Sequence, residues 1–179
     1  MKRKDWKERA KRIRLLLLDV DGVLTDGRLA FDGAGQELKF FHIRDGQGIR
    51  LLQQAGIHAG ILTGRKSKAV SYRASDLGIR LVFQKVRDKG RVLETILKKE
   101  SLQAEQVCYV GDDLVDLPIL ARVGLAIAVS DAVPEVKAIA HCITRCPGGR
   151  GAVREICEKI LKVQGRWDQV TQAYRSNAG

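Results

Sequence analysis

The chain has 179 residues, 45% hydrophobic and 30% charged, with 32 Lys or Arg against 21 Asp or Glu for a net charge of +11. That is enough for one domain with its own core, and no apolar run approaches the ~20 residues a bilayer-spanning helix needs. Residues 1–14 carry eight of the basic residues against Asp5 and Glu8, so six of the eleven excess charges sit there; with 5% aromatics and no aromatic-basic interleaving, a nucleic-acid partner is disfavoured.

Met1-Lys2-Arg3-Lys4 leads into more charge rather than an apolar signal segment, so a cytoplasmic protein is expected. Residues 1–12 read as a basic helix or arm, loosely attached or packed on another subunit. Leu15–Leu18 reads as a strand buried on both faces, broken by Asp19-Val20-Asp21-Gly22. Residues 27–42 read as a β-hairpin around Asp32-Gly33-Ala34-Gly35. A helix is expected from Asp45 to Gly56, then a strand at Ile57–Leu62 ending in Thr63-Gly64-Arg65. A helix over Ser67–Leu77, a strand over Ile79–Phe83 and a helix over Lys89–Lys99 follow. The strand Val107–Val110 enters Gly111-Asp112-Asp113, with Asp116 three residues on, and a helix to Ala121. Strands at Leu125–Val129 and Cys142–Ile143 and a helix over Ala152–Val163 complete the pattern; residues 165–179 read as a tail of undecided structure. Strands alternating with helices at this spacing predict an α/β fold with a doubly wound, mostly parallel sheet flanked by helices. Cys108, Cys142, Cys146 and Cys157 lack a second metal-ligand pair and read as reduced structural thiols. His58 and His141 read as ordinary sheet residues.

Asp19 and Asp21 lie two apart, so on an extended backbone they point to one side, where a cation or a shared proton would relieve their repulsion. An Asp-Gly turn ending a strand is the plain alternative. Three further polar clusters, around Thr63, Lys89 and Asp112, each follow an apolar run. In open α/β sheets ligands bind beyond the carboxyl ends of the strands, where all four clusters can meet.

The order DxDGVLT, Thr, Lys, GDDxxD resembles the haloacid dehalogenase-like phosphatases, from about Ile13 to about Val163. Lys39-Phe40, Asp45-Gly46-Gln47-Gly48-Ile49, Thr63-Gly64-Arg65-Lys66 and Gly148-Gly149-Arg150-Gly151-Ala152-Val153-Arg154-Glu155 narrow the resemblance to the capless 3-deoxy-D-manno-octulosonate 8-phosphate phosphatase family. The resemblance implies a Rossmann-like domain without a large cap and with a projecting hairpin that assembles a homotetramer. It implies Asp19 as nucleophile, forming an aspartyl phosphate, and Asp21 as general acid and then base, also lending its backbone carbonyl to a metal. Asp112 completes the metal site with Asp19; the hard oxygen ligands point to Mg²⁺. Asp113 and Asp116 stand behind the ligands. Thr63, Gly64 and Lys89 are expected to hold the phosphate, Lys89 being a better match than Lys85. A sugar acid carries a carboxylate that guanidinium groups recognise, so Arg65, Arg73, Arg150 and Arg154 are candidate substrate residues, with His42 and Arg44 near the same pocket. The implied role is release of the free sugar acid in lipopolysaccharide precursor synthesis.

The related phosphatases of nine-carbon sugar acids typically have Glu where this chain has Arg65, and Gly-Gly-Glu-Gly where it has Gly148-Gly149-Arg150-Gly151. Both departures favour the eight-carbon acid. A receiver-like signalling domain also forms an aspartyl phosphate, but its acceptor follows a middle strand, and no such Asp lies between Asp21 and Thr63. A catalytically silent scaffold is disfavoured because every residue needed for turnover is present.

Overall fold

The computed structural model describes residues 5–176. Residues 1–4 and 177–179, the outer ends of the expected basic arm and tail, lie outside the described residues. The order is α1 (Trp6–Lys11), β1 (Leu15–Leu18), β2 (Ala30–Phe31), β3 (Glu37–Leu38), α2 (Ile43–Gln54), β4 (His58–Leu62), α3 (Lys68–Asp76), β5 (Leu81–Phe83), α4 (Lys89–Glu100), β6 (Val107–Gly111), α5 (Leu117–Leu120), β7 (Leu125–Ala128), α6 (Pro134–Ile139), β8 (Cys142–Ile143), α7 (Ala152–Val163) and α8 (Trp167–Ser176).

Six strands form one parallel sheet in the order β5-β4-β1-β6-β7-β8. From β1 the chain winds outward through β4 and β5, then returns to the other side of β1 and winds outward through β6, β7 and β8. The reversal falls between β1 and β6, so the crevice at their carboxyl ends is the topological switch point. All four β1 leucines are buried, as a strand covered on both faces requires. Val107 to Gly111 and Leu125 to Ala128 are buried beside them.

The hairpin is present but small. β2 and β3 pair over two residues each, closed by Asp32, whose Oδ1 accepts N–H bonds from Ala34 and Gln36. Leu29, Phe31, Leu38, Phe40 and Ile43 stand exposed on and beside it.

Three expectations need revision. The helix after the hairpin begins at Ile43, ahead of Asp45, because His42 in extended conformation serves as its N-cap. The tail after Gly165 is not shapeless, since α8 occupies most of it and buries Val170 against the core. The basic helix is anchored rather than loose. Ala10 and Ile13 are buried, Arg9 bonds the Gly124 carbonyl at 2.8 Å, and Gln164 bonds the Ala10 and Ile13 carbonyls at 2.9 Å each. Among the described residues no helix is long and apolar enough to cross a membrane.

Candidate active site

Asp19 follows β1 directly and is held where the sheet ends. Its N–H bonds the Val110 carbonyl, its Oδ1 accepts from the Val20 N–H at 2.6 Å, and its Oδ2 accepts from Lys89 Nζ at 2.7 Å. Asp112 enters the same space from the end of β6. One carboxylate oxygen from each of Asp19, Asp112 and Asp116 lies within 4.8 Å of the others. Gly22 permits this approach. It has a φ of +82°, and a Cβ there would lie 2.0 Å from Asp112 Oδ2, so no side chain is tolerated.

Lys89 comes from the first turn of α4 and is buried with three partners: Asp19, Asp116 Oδ1 at 2.6 Å and the Tyr109 hydroxyl at 3.0 Å. Burial alone would drive off its proton, but the two carboxylates outweigh that and raise its pKa. Asp116 is fully engaged. Oδ1 also accepts from the Tyr109 hydroxyl, and Oδ2 accepts the Asp112 N–H at 2.9 Å and the Asp113 N–H at 3.3 Å, which shapes the acidic loop. Asp113 caps the short turn that follows through the Leu114 N–H.

Asp112 is left electrostatically unsatisfied, and Asp19 is compensated only in part by Lys89. Burial, with Asp19, Asp116 and Asp113 nearby, pushes the Asp112 carboxyl up to about 8. Burial raises Asp19 to about 6, against the pull of Lys89. Asp112 Oδ1 is buried and has no hydrogen-bond partner among the described residues. A hard divalent cation fits this donor set: it would relieve the repulsion and take up the orphaned oxygen, with no thiolate or imidazole in the way.

Thr63 follows β4 and is buried, its N–H bonded to the Phe83 carbonyl and its hydroxyl accepting weakly from the Arg65 N–H at 3.4 Å. Gly64 is exposed beside it. Lys85 does not contact Asp19; it occupies a turn with φ +58° and donates its N–H to the Arg65 carbonyl.

The arginines divide. Arg65 reaches the loop that follows Asp19, its Nε 3.8 Å from Asp21 Oδ2 and its Nη2 2.9 Å from Glu37 Oε1. Arg150 is exposed, 3.9 Å from Asp26, in a glycine-rich loop packed on the same segment. Within that loop the Gly149 N–H bonds the Val23 carbonyl, and a Cβ on Gly148 would lie 1.8 Å from the Gly22 carbonyl oxygen. Arg73 and Arg154 are not brought to the carboxylates. Arg73 pairs with Asp76 and lies over Phe41, while Arg154 pairs with Glu158 and lies over Trp167. His42 and exposed Arg44 flank the start of α2, where His42 Nδ1 is 3.9 Å from Asp45.

Sequence reasoning missed several participants. Tyr109, the middle residue of β6, reads only as a core aromatic. Asp45 reads as a helix start, yet its side chain accepts the Gly151 N–H at 3.2 Å and the Arg154 N–H at 2.7 Å, capping α7. Lys39, in contact with Asp21, is quoted for resemblance but given no role. β3 ends at Leu38, so Lys39 lies just beyond the strand and no alternation pattern marked its face.

An Asp directly after the first strand, a buried Lys bonded to it and an acidic loop at the switch point are the arrangement of a haloacid dehalogenase-like hydrolase, and residues 81–156 match the haloacid dehalogenase-like hydrolase family model. The chain is 47% identical over 164 residues to a 3-deoxy-D-manno-octulosonate 8-phosphate phosphatase of Yersinia pestis, covering 92% of this chain and 88% of that protein. It also superposes on the crystal structure of the Yersinia pestis phosphatase with a TM-score of 0.90, covering 92% of this chain and 89% of that one. The same phosphatase from Moraxella catarrhalis, solved with magnesium, phosphate and KDO, gives a TM-score of 0.93 at 39% identity, covering 95% and 98% of the two chains. The chain belongs to the 3-deoxy-D-manno-octulosonate 8-phosphate phosphatase family.

Proposed function

We propose that the chain is a Mg²⁺-dependent phosphoric monoester hydrolase that converts 3-deoxy-D-manno-octulosonate 8-phosphate to the free sugar acid and phosphate. The observation that carries the reading is Asp19 held by Lys89 beside an orphaned Asp112 oxygen, in a chain of this family.

A phosphate monoester resists hydrolysis because its dianionic oxygens repel a nucleophile, so neutralising that charge and aligning the reactants are the main tasks. Asp19, Asp112 and the Asp21 carbonyl would hold the cation, which would supply charge neutralisation at the phosphate when bound. Asp19 forms a bond to phosphorus as the phosphorus–ester oxygen bond breaks, and Asp21 gives its proton to the departing oxygen. Asp21, now a carboxylate, takes a proton from water; the water oxygen bonds phosphorus, and phosphate leaves Asp19. Lys89, the Thr63 hydroxyl and the Gly64 N–H hold the phosphate oxygens, while Asp113 and Asp116 shape the loop that presents Asp112.

Arg65 and Arg150 are the carboxylate-reading groups on this chain's own rim, and Arg73 and Arg154 serve a neighbouring subunit. The exposed apolar hairpin supports assembly into a homotetramer, since two residues of pairing per strand do not stabilise a ribbon by themselves. The enzyme acts in the cytoplasm, in lipopolysaccharide precursor synthesis, as one domain.

The test is phosphate release with Mg²⁺ and with EDTA from eight- and nine-carbon sugar-acid phosphates, hexose phosphates and acetyl phosphate. Mg²⁺-dependent release chiefly from the eight-carbon acid is expected. Preference for the nine-carbon acid would overturn the substrate. Stable labelling by acetyl phosphate without turnover of any ester would overturn the enzyme.

A further inference from the structure

Glu37 and Lys39 leave the hairpin two positions apart, and their side chains turn to the same side. Lys39 Nζ bonds Asp21 Oδ1 and lies 3.2 Å from Glu37 Oε1. Glu37 in turn accepts from Arg65 at 2.9 Å, and Arg65 returns to within 3.8 Å of Asp21 Oδ2. The Lys39 side chain is only 2% exposed, although the hairpin around it is largely open to solvent. Fixing a lysine costs rotamer entropy, and an ammonium leaves water only for good partners. With Asp21 ionised, two anions and two cations close the ring. When Asp21 carries the proton it gives up, the ring holds one net positive charge, and Lys39 still fixes Oδ1 in place.

We propose that Lys39 is a positioning residue for the proposed reaction: by holding Asp21 Oδ1, it aims the other carboxyl oxygen at the departing ester oxygen, with Glu37 keeping Lys39 in place. The inference rests on the phosphatase reading above. Lys39 itself gives up no proton; the transferred proton passes from Asp21 to the ester oxygen as the phosphorus–oxygen bond breaks. Misplacing such a carboxyl by about 1 Å is enough to cost on the order of 10²-fold in rate.

The leaving group separates this role from a structural one. A sugar alkoxide needs a proton as it departs, whereas p-nitrophenolate leaves as a stable anion. Steady-state kinetics of Lys39→Met, Glu37→Gln and Lys39→Arg on 3-deoxy-D-manno-octulosonate 8-phosphate and p-nitrophenyl phosphate provide the test. Lys39→Met should lower kcat and kcat/KM for the sugar-acid phosphate roughly 10- to 100-fold, leaving kcat/KM for the aryl ester within about threefold. Glu37→Gln should follow in the same direction to a smaller extent, and Lys39→Arg should restore most of the loss. Should Lys39→Met fail to fold, Glu37→Gln reads the same contrast. Equal losses of kcat/KM on both esters would make the ring merely structural, and a raised KM with unchanged kcat would make Lys39 a substrate-binding group; either overturns the inference. Wild-type inactivity toward both esters would overturn the phosphatase reading, and this inference with it.

Discussion

Lys89 sits in the first turn of a helix, where the dipole disfavours a cation, and out of water, where an unpaired ammonium is costly. Asp19 and Asp116 together offset both penalties. Asp19→Asn therefore removes the proposed nucleophile but leaves Lys89 paired with Asp116. Turnover should fall to background while circular dichroism and melting temperature stay near wild type; activity within tenfold of wild type would remove Asp19 as nucleophile. Asp112 makes a different prediction. Folded without metal, its carboxyl is raised from the ordinary 3.8 to about 8, chiefly by burial and then by Asp19, Asp116 and Asp113. The protonated form is favoured in the fold, so the stability Asp112 contributes is whole below pH 3.8 and is lost as the pH rises through about 8. A bound cation needs the carboxylate instead. Thermal melts should therefore show Mg²⁺ raising Tm more at pH 8 than at pH 5.5, and an equal rise at both would contradict the assignment.

At the scale of elements, α7 depends on a residue of α2. Asp45 accepts two N–H groups at the α7 N-terminus, while Gly48 lies against the Arg154 backbone, so the helices approach closely. Asp45→Ala should cost about 1–2 kcal/mol in urea denaturation, the upper part of the range for a lost helix cap. An unchanged midpoint would mean that water replaces the cap freely. This contact also shows where sequence reading stops. Leu15–Leu18 and the acids at its end were legible because a run buried on both faces and a polar break are local signals. That the clusters at Thr63, Lys89 and Asp112 could meet Asp19 at one sheet edge was legible from helix and strand alternation, whereas the strand order itself was not. Asp45 and its partners are separated by 106 and 109 positions, and no local periodicity encodes that pairing. Lys39 escaped because β2 and β3 are two residues long, too short for alternation to assign a face. α8 escaped because Val170 is its one buried apolar side chain among those described, a stripe too thin to mark a helix.

Across the whole molecule, apolar exposure concentrates on the hairpin and its exit, with Phe31 at 57%, Phe40 at 73% and Ile43 at 83%. Such clustering marks a surface meant to be covered. Phe31→Asp combined with Phe40→Asp should convert the proposed tetramer to smaller species in sedimentation velocity while leaving Lys39 in place; a persisting tetramer would place the interface elsewhere. The glycine-rich loop adds a consequence in time. Gly149 bonds the Val23 carbonyl and Gly148 rests on the Gly22 carbonyl, so the loop that follows Asp19 is braced by residues made more than 120 positions later. During synthesis Asp19 emerges early, but β1 cannot pair with β6 until about residue 110 is made, and the brace arrives later still. A nascent chain stalled before Gly148 would hold Asp19 in an unbraced loop, so the site is complete only once Gly148 and Gly149 have left the ribosome.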